Sequence, residues 1–258
     1  MRDVLCFDRL RVHFRGSTTQ LTAVALGILG VCWAAPASAG NFSVTPVRIY
    51  MAAKEKATAI TVTNEGAEAL LMQADIFEWK QSPDGKDLLT LTEDMILSPP
   101  ILKMAPKSRQ VVRLISLIGP VKDLQRTYRM IVREIPEAKL NKADLQLQIA
   151  YAFSIPIFIT PPEATAKLDC TLARVAPDTA KAVCQNTGTA VAHPTAFHIS
   201  NSALENLASQ DSGAYILPGA QRSFDLKRKE GTIPPGKTRL VVSMSDGTSQ
   251  SYDTTLNE

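Results

Sequence analysis

Residue types that carry catalysis are sparse in this chain, whereas those that carry ionic recognition recur in its apolar segments. Beyond an N-terminal leader, the histidines are His193 and His198 in "VAHPTAFHIS", and a separation of five on a strand sets them on opposite faces. No Cys, Asp or Glu lies near enough in sequence to complete a metal set. H-E-x-x-H, G-x-S-x-G and glycine-rich phosphate-loop patterns do not occur. The acidic residues are spread singly, and "TEDM" reads as a solvated turn rather than a catalytic carboxylate pair. These features indicate no enzyme, no metal and no cofactor. Arginines, by contrast, interrupt apolar strands: Arg48 in "TPVRIYM", Arg113 in "QVVRLISL", and Arg129 and Arg133 in "TYRMIVREI". By parity Arg113 shares a face with Val111 and Ile115, and Arg129 and Arg133 share theirs with Ile131 and Ile135. Such a residue either turns outward to pair with a glutamate such as Glu134, or grips a carboxylate through two parallel charge-assisted hydrogen bonds.

A second feature is the alternation in "DLQLQIAYAFSIPIFITPP". Leu145, Leu147, Ile149, Tyr151, Phe153, Ile155 and Ile157 hold every odd position, which gives one apolar face with a period of two. That face is long for a strand that only covers its own small domain.

The elements that must position these residues follow a leader. Leu21 to Ala35 form an uncharged apolar run preceded by Arg9, Arg11 and Arg15 and followed by "ASAG". This is the pattern of a secretory signal over residues 1–39, cut after Ala39. Its long charged approach leaves room for a start codon further in. The run is short for a membrane span, so no stable membrane insertion is expected. Without the leader, the net charge of +3 falls to near neutrality. The "LKRKEG" cluster around Arg228 reads as solvated, so no nucleic-acid partner is indicated. Cys6 and Cys32 leave with the leader, and Cys170 and Cys184 lie symmetrically about the "APDT" turn as facing positions of a hairpin. In an oxidising compartment a disulfide is expected, and its spacing argues for a structural role rather than a redox pair.

Strand signals dominate. "NFSVTPVRIYM", "ATAITVTN", "ALLMQADIFEWK", "SRQVVRLISL" and "TYRMIVREI" are rich in branched and aromatic residues and separated by turns such as "NEGAE", "SPDGK" and "SPP". Pro46 places the first of these at a sheet edge or bends it. After "ITPPEATAK" a second series begins: "KLDCTLARV", "TAKAVCQN", "TAFHIS", "AYILPG", "RSFDL" and "TRLVVSMSD". The expectation is an all-β chain of two immunoglobulin-like β-sandwich domains, 40–160 and 161–258, joined by a stiff proline-containing linker.

The order of "NFSVTPVRIYM", "ITVTNEG", "ADIFEWKQ", "ILSPPILKMAPKSRQVVRL", "TYRMIVREIP" and "YAFSIPIFITPP" resembles that of the periplasmic pilus chaperones of the chaperone/usher pathway. The resemblance covers nearly all of the first domain and rests on "SPP", P-x-x-x-Q-x-V-R-L, "YR" and "REIP" together. In the second domain it rests on "CQNTG" and "LPG". It implies two sandwiches at an angle, a boomerang shape. It also implies a non-catalytic periplasmic protein that binds pilus or fimbrial subunits and delivers them to an outer-membrane usher without ATP. The subunit is similar to an immunoglobulin domain lacking its last strand. The chaperone supplies that strand, a mode the general account of β-augmentation itself names. On this resemblance Leu145, Leu147, Ile149, Tyr151 and Phe153 are the donor residues, and Ile155 and Ile157 close their own core.

The resemblance also implies an anchor for the subunit's C-terminal carboxylate. Arg48 matches its first-strand arginine. The second partner in the best-known branch is a lysine, and Pro156 stands at its position here. In the archaic, spore-coat-like branch with an "S-I-P" ending, the arginines of "VRL" and "YR" are better placed, so Arg113 and Arg129 join Arg48. The loop "EIPEAKLNKAD" is short, as in short-loop chaperones. An exposed apolar edge calls for cover when no subunit is bound, and a self-capping homo-oligomer is one form of it. The rival reading is an exported pilin-like or adhesive structural protein on the same scaffold. A pilin, however, needs an N-terminal donor extension, and here the alternating strand is internal.

Overall fold

The computed structural model describes residues 42–136 and 150–257, and every regular element in them is a strand. The first ten strands are β1 (Phe42–Thr45), β2 (Ile49–Ala52), β3 (Ala57–Asn64), β4 (Leu70–Gln81), β5 (Asp87–Leu91), β6 (Met95–Ser98), β7 (Ile101–Met104), β8 (Arg109–Ser116), β9 (Arg126–Glu134) and β10 (Ala152–Thr160). One sheet has the order β1-β3-β8-β6 and the other β2-β10-β9-β4-β5, with β7 on the other half of β4. The period-two pattern buries alternate residues of both sheets in one core that includes Ile60, Met72, Leu114, Met130 and Ile157.

The stretch "NFSVTPVRIYM" is two strands rather than one. β1 pairs with β3 in the first sheet, whereas β2 runs parallel to β10 in the second. Pro46 lies between them, and without an N–H it cannot continue a ladder. The chain therefore changes sheets there. "TEDM" is also more than a solvated turn. Asp94 accepts a 2.8 Å hydrogen bond from the buried Tyr128 hydroxyl. Burial, then this bond, push the tyrosine pKa well above its usual range.

The second sandwich comprises β11 (Leu168–Ala176), β12 (Thr179–Asn186), β13 (Pro194–Asn201), β14 (Asn206–Asp211), β15 (Gln221–Lys227), β16 (Gly236–Met244) and β17 (Ser249–Leu256). Its sheets are β11-β12-β15 and β14-β13-β16-β17. β11 and β12 form the expected hairpin, in which Cys170 and Cys184 are register partners joined by a disulfide, with Cα atoms 4.1 Å apart. "AYILPG" is not a strand. Its only ladder contact is the isolated bridge from Ala192 to Ile216, and it forms the loop that faces the first sandwich. β5, β6, β7, β14 and β17 are strands the sequence pattern does not single out.

Both sandwiches use an N-x-G corner. Asn64 donates to the carbonyls of Glu68 and Ala105 at 2.8 and 3.0 Å and accepts from Gly66 N at 2.9 Å. Asn186 likewise donates to Ala190 and Ile216 and accepts from Gly188 N. A Cβ on Gly188 would lie 2.3 Å from the Thr165 carbonyl oxygen, so only glycine fits that corner. Each buried asparagine fills the hydrogen bonds that a turning backbone leaves open.

Candidate binding cleft and open strand edge

β10 pairs with β9 from Ala152 to Ile159, but with β2 only from Ile157 to Thr160. Since β1 has left for the other sheet, Ala152 to Pro156 have a neighbour on one side only among the described residues. The direction of the free groups follows from antiparallel geometry. Glu134 N donates to Tyr151 O at 2.9 Å, so the odd residues of β10 aim their backbone groups at β9. The even residues Ala152, Ser154 and Pro156 therefore aim theirs at the open side. Pro156 is tolerated because the N–H it lacks would point away from β9.

Ile155 and Ile157 are buried in their own core, as expected from the alternation. Tyr151 and Phe153, of the same parity, remain 41% and 40% exposed. One flank of Phe153 packs edge-on against Phe42, with ring centroids 4.8 Å apart. Leu145, Leu147 and Ile149 lie outside the described residues, as do residues 1–39 and the loop from Glu137 onward.

On the opposite face of β10, parity points Phe158 outward from the first sandwich, and Trp79 of β4 likewise. Both are nevertheless buried, with 0% and 1% exposure, because Leu217 and Tyr215 of the second sandwich cover them. Trp79 and Phe158 lie 5.5 and 5.8 Å from the Tyr215 ring, and His193 stacks on Tyr215 at 4.1 Å. Polar seams fix this contact. Gln81 donates to Tyr215 O at 3.0 Å and accepts from Leu217 N at 2.8 Å. Gln125 accepts from Val191 N and donates to Thr160 Oγ1, both at 2.7 Å. Gly85 has a φ of +79°, and a Cβ there would lie 2.4 Å from Gln221 O, so the turn before β5 can approach the second sandwich only as glycine.

Arg129 lies in this cleft. Its guanidinium carbon sits 3.8 Å above the Trp79 ring, Nη1 donates to Ser154 Oγ at 3.1 Å, and Nη2 is 3.5 Å from Asp87 Oδ2. It is also the register partner of Pro156. A cation thus stands directly across the ladder from the position where the family resemblance leads one to expect a lysine. Burial lowers the Arg129 pKa and the Asp87 charge works against that shift. Arg222 of β15 reaches the same aspartate from the second sandwich, with Nη2 3.4 Å from Oδ1, and its Nε donates to Gly85 O at 3.1 Å.

Arg48 is exposed on the short connection to β2, near the same ring system. Its charge opposes the rise that burial imposes on the Tyr215 pKa, and adds to the lowering that burial imposes on His193. The charges of Arg48 and Arg129 therefore both act on the Tyr215 phenol. Arg113 does not join them: it projects from β8 on the outer face of the other sheet, between the exposed Val111 and the half-buried Ile115. Arg133 pairs with Asp75 at 2.9 Å, across β4, rather than with Glu134. Arg228 of the "LKRKEG" cluster binds Glu205 at 3.1 Å.

Three of the polar side-chain atoms that are buried without a hydrogen-bond partner gather here: Trp79 Nε1, Arg129 Nε and His193 Nδ1. Buried polar groups without a partner cost roughly 1–3 kcal/mol each, and they mark places that another group can fill. The sequence reading missed Trp79, Asp87, Tyr215 and Arg222, and weighed His193 only as a metal ligand. The available signals were a tryptophan out of phase with its strand's apolar face and the glycine of "SPDGK". Among the described residues no group of His, Cys, Asp and Glu could hold a metal, and no helix is long and apolar enough to cross a membrane.

Residues 41–165 match the family described as pili and flagellar-assembly chaperone, PapD N-terminal domain. Among solved structures, the chaperone–tip adhesion subunit pre-assembly complex CsuC–CsuE, from the archaic chaperone-usher Csu pili of Acinetobacter baumannii, is 21% identical, with a TM-score of 0.59 over 85% of this chain and 100% of that one. The E. coli chaperone DraB is 18% identical, with a TM-score of 0.52 over 84% and 96% of the two chains. The Salmonella enterica SafA pilin in complex with the SafB chaperone gives 12% and 0.53, over 85% and 98%. At these identities the likeness speaks for the fold. No curated protein matches the chain.

Proposed function

We propose that the chain is a pilus-assembly chaperone of the PapD type, a reading supported by the family match over residues 41–165, and that it captures pilus subunits in the periplasm by lending them the open edge of β10 and passes them to an outer-membrane usher. Residues 1–39 serve as the export signal, 40–160 form the donor domain and 161–258 the second sandwich. Support for strand donation comes above all from one observation. Ala152 and Ser154 direct unpaired backbone groups away from β9, beside the half-exposed Tyr151 and Phe153. A subunit strand pairing there takes affinity from the backbone and specificity from alternate side chains, and Leu145, Leu147 and Ile149 extend the same register upstream. Each apolar side chain fully buried in this way contributes about 1.5–3 kcal/mol. Arg48 and Arg129 hold the subunit's terminal carboxylate in the cleft. Pairing of two copies along the open edge is the form of cover that suits the free chaperone.

Ile149→Arg tests this reading. Tagged wild-type and variant chains are co-produced with candidate subunits and recovered from the periplasm. The variant is expected to fold and to lose the subunit. Undiminished recovery would sink strand donation.

A further inference from the structure

Asp87 lies between two arginines from different sandwiches, 3.5 Å from Arg129 and 3.4 Å from Arg222, and accepts a 2.8 Å hydrogen bond from Gln81. Neither arginine forms the parallel two-bond fork of which a guanidinium is capable. Asp87 touches Arg129 at Nη2 alone, while the adjacent Nε on the same edge has no acceptor, nor has Trp79 Nε1 beneath it. The seat holds a carboxylate but leaves Arg129 Nε without an acceptor. Asp87 arrives from β5, an edge strand whose five residues are all exposed, so it can withdraw without opening a core.

We propose that Arg222 is the second arm of the carboxylate anchor, and that Asp87 keeps its place in the free protein until the partner's terminal carboxylate displaces it. This rests on the reading of Arg129 as an anchor. It accounts for the absence of a basic side chain at Pro156, since the second cation comes from the second sandwich instead. The exchange also ties capture to the contact between sandwiches, because the group that leaves is one of those bridging them.

Trp79 reports on the site directly. In the full chain carrying Trp33→Phe it is the sole tryptophan, and it lies under the Arg129 guanidinium. N-acetylglycine, which offers a free carboxylate, is titrated at constant ionic strength, with N-acetylglycinamide as the uncharged control. The expected result is a carboxylate-dependent change in Trp79 fluorescence that Arg129→Ala abolishes. Asp87→Asn should tighten it about fivefold, as suits removal of two weak, partly exposed ion pairs. Adding Arg222→Gln to Asp87→Asn should then weaken it at least as much. Asp87→Ser serves as a second variant, and circular dichroism confirms that each protein is folded. If Asp87→Asn and Asp87→Ser leave unchanged a signal that Arg129→Ala removes, Asp87 is no placeholder. If Arg222→Gln has no effect once Asp87 is gone, Arg222 is no arm. Either result overturns the inference while leaving Arg129 as the anchor. A carboxylate signal absent even from Asp87→Asn would overturn both readings.

Discussion

The alternation of backbone direction along β10 allows strand donation to be separated from the chaperone's own stability by proline substitution at adjacent positions. Ala152 aims its N–H at the open side, whereas Phe153, one residue on, aims its N–H at β9. Ala152→Pro therefore removes a donor that no described neighbour uses, and the ring takes up space the strand leaves empty, as Pro156 already does two positions past Ser154. The subunit strand that pairs there would be left with a buried carbonyl lacking its partner, at a cost of about 1–3 kcal/mol, or roughly 5- to 150-fold in affinity. Phe153→Pro instead breaks a bond of the β9–β10 ladder and loosens the Phe42 contact, so its principal effect is a lower melting temperature. The assay is competitive periplasmic pull-down of a subunit by the two variants, together with thermal melts of each. The reasoning fails if Ala152→Pro captures subunit as well as wild type, or if its loss of capture only tracks a loss of stability.

Other expectations are simpler. Arg48→Ala should weaken subunit capture severalfold without moving the melting temperature, since the side chain is exposed; Arg113→Ala, on the far sheet, is the comparison, and equal losses from both would argue against a cleft anchor. Replacing Cys170 and Cys184 with alanine should lower stability by about 3 kcal/mol in urea denaturation while leaving the affinity for subunit unchanged. His193 has a pKa below the usual 6.5, from burial first and then from the Arg48 charge. The unfolded chain therefore binds the proton more readily than the folded one, and stability should fall as the pH drops below about 6.5 towards the folded value. A His193→Gln variant should show a smaller change in urea midpoint between pH 7 and pH 5.5, and an equal change would remove His193 as the cause.

The parts of this molecule that were legible in its sequence are those written locally. The β10 alternation, the Cys170–Cys184 hairpin and the strand-rich pattern each depend on near neighbours, and each reads correctly from spacing. Pro46 announced a disturbance, but not that the two halves of the segment would enter opposite sheets. The choice is settled by partners on β3 and β10, which are distant in the chain. "AYILPG" has the composition of a strand but spends Tyr215 and Leu217 on Trp79 and Phe158 of the other sandwich, while Ile216 stays in its own core. The cleft was illegible for the same reason. Trp79, Asp87, Arg129, Tyr215 and Arg222 come from four strands and a loop, and only the packing of two sandwiches brings them together. Arg113 and Arg129 look alike in sequence, each an arginine in an apolar strand. Only sheet order distinguishes the one that faces the cleft from the one on the far side.

Hydrogen exchange at two backbone amides tests strand donation most directly. In the monomeric free chain, Ala152 and Ser154 should exchange quickly, because their N–H groups have no partner on the open side among the described residues, while Phe153 and Ile155 are protected by β9. Addition of a captured subunit should slow Ala152 and Ser154 to the rate of their neighbours. Were these two amides to exchange equally fast with subunit bound, the subunit would be held elsewhere and the open edge of β10 would not be what the chain lends.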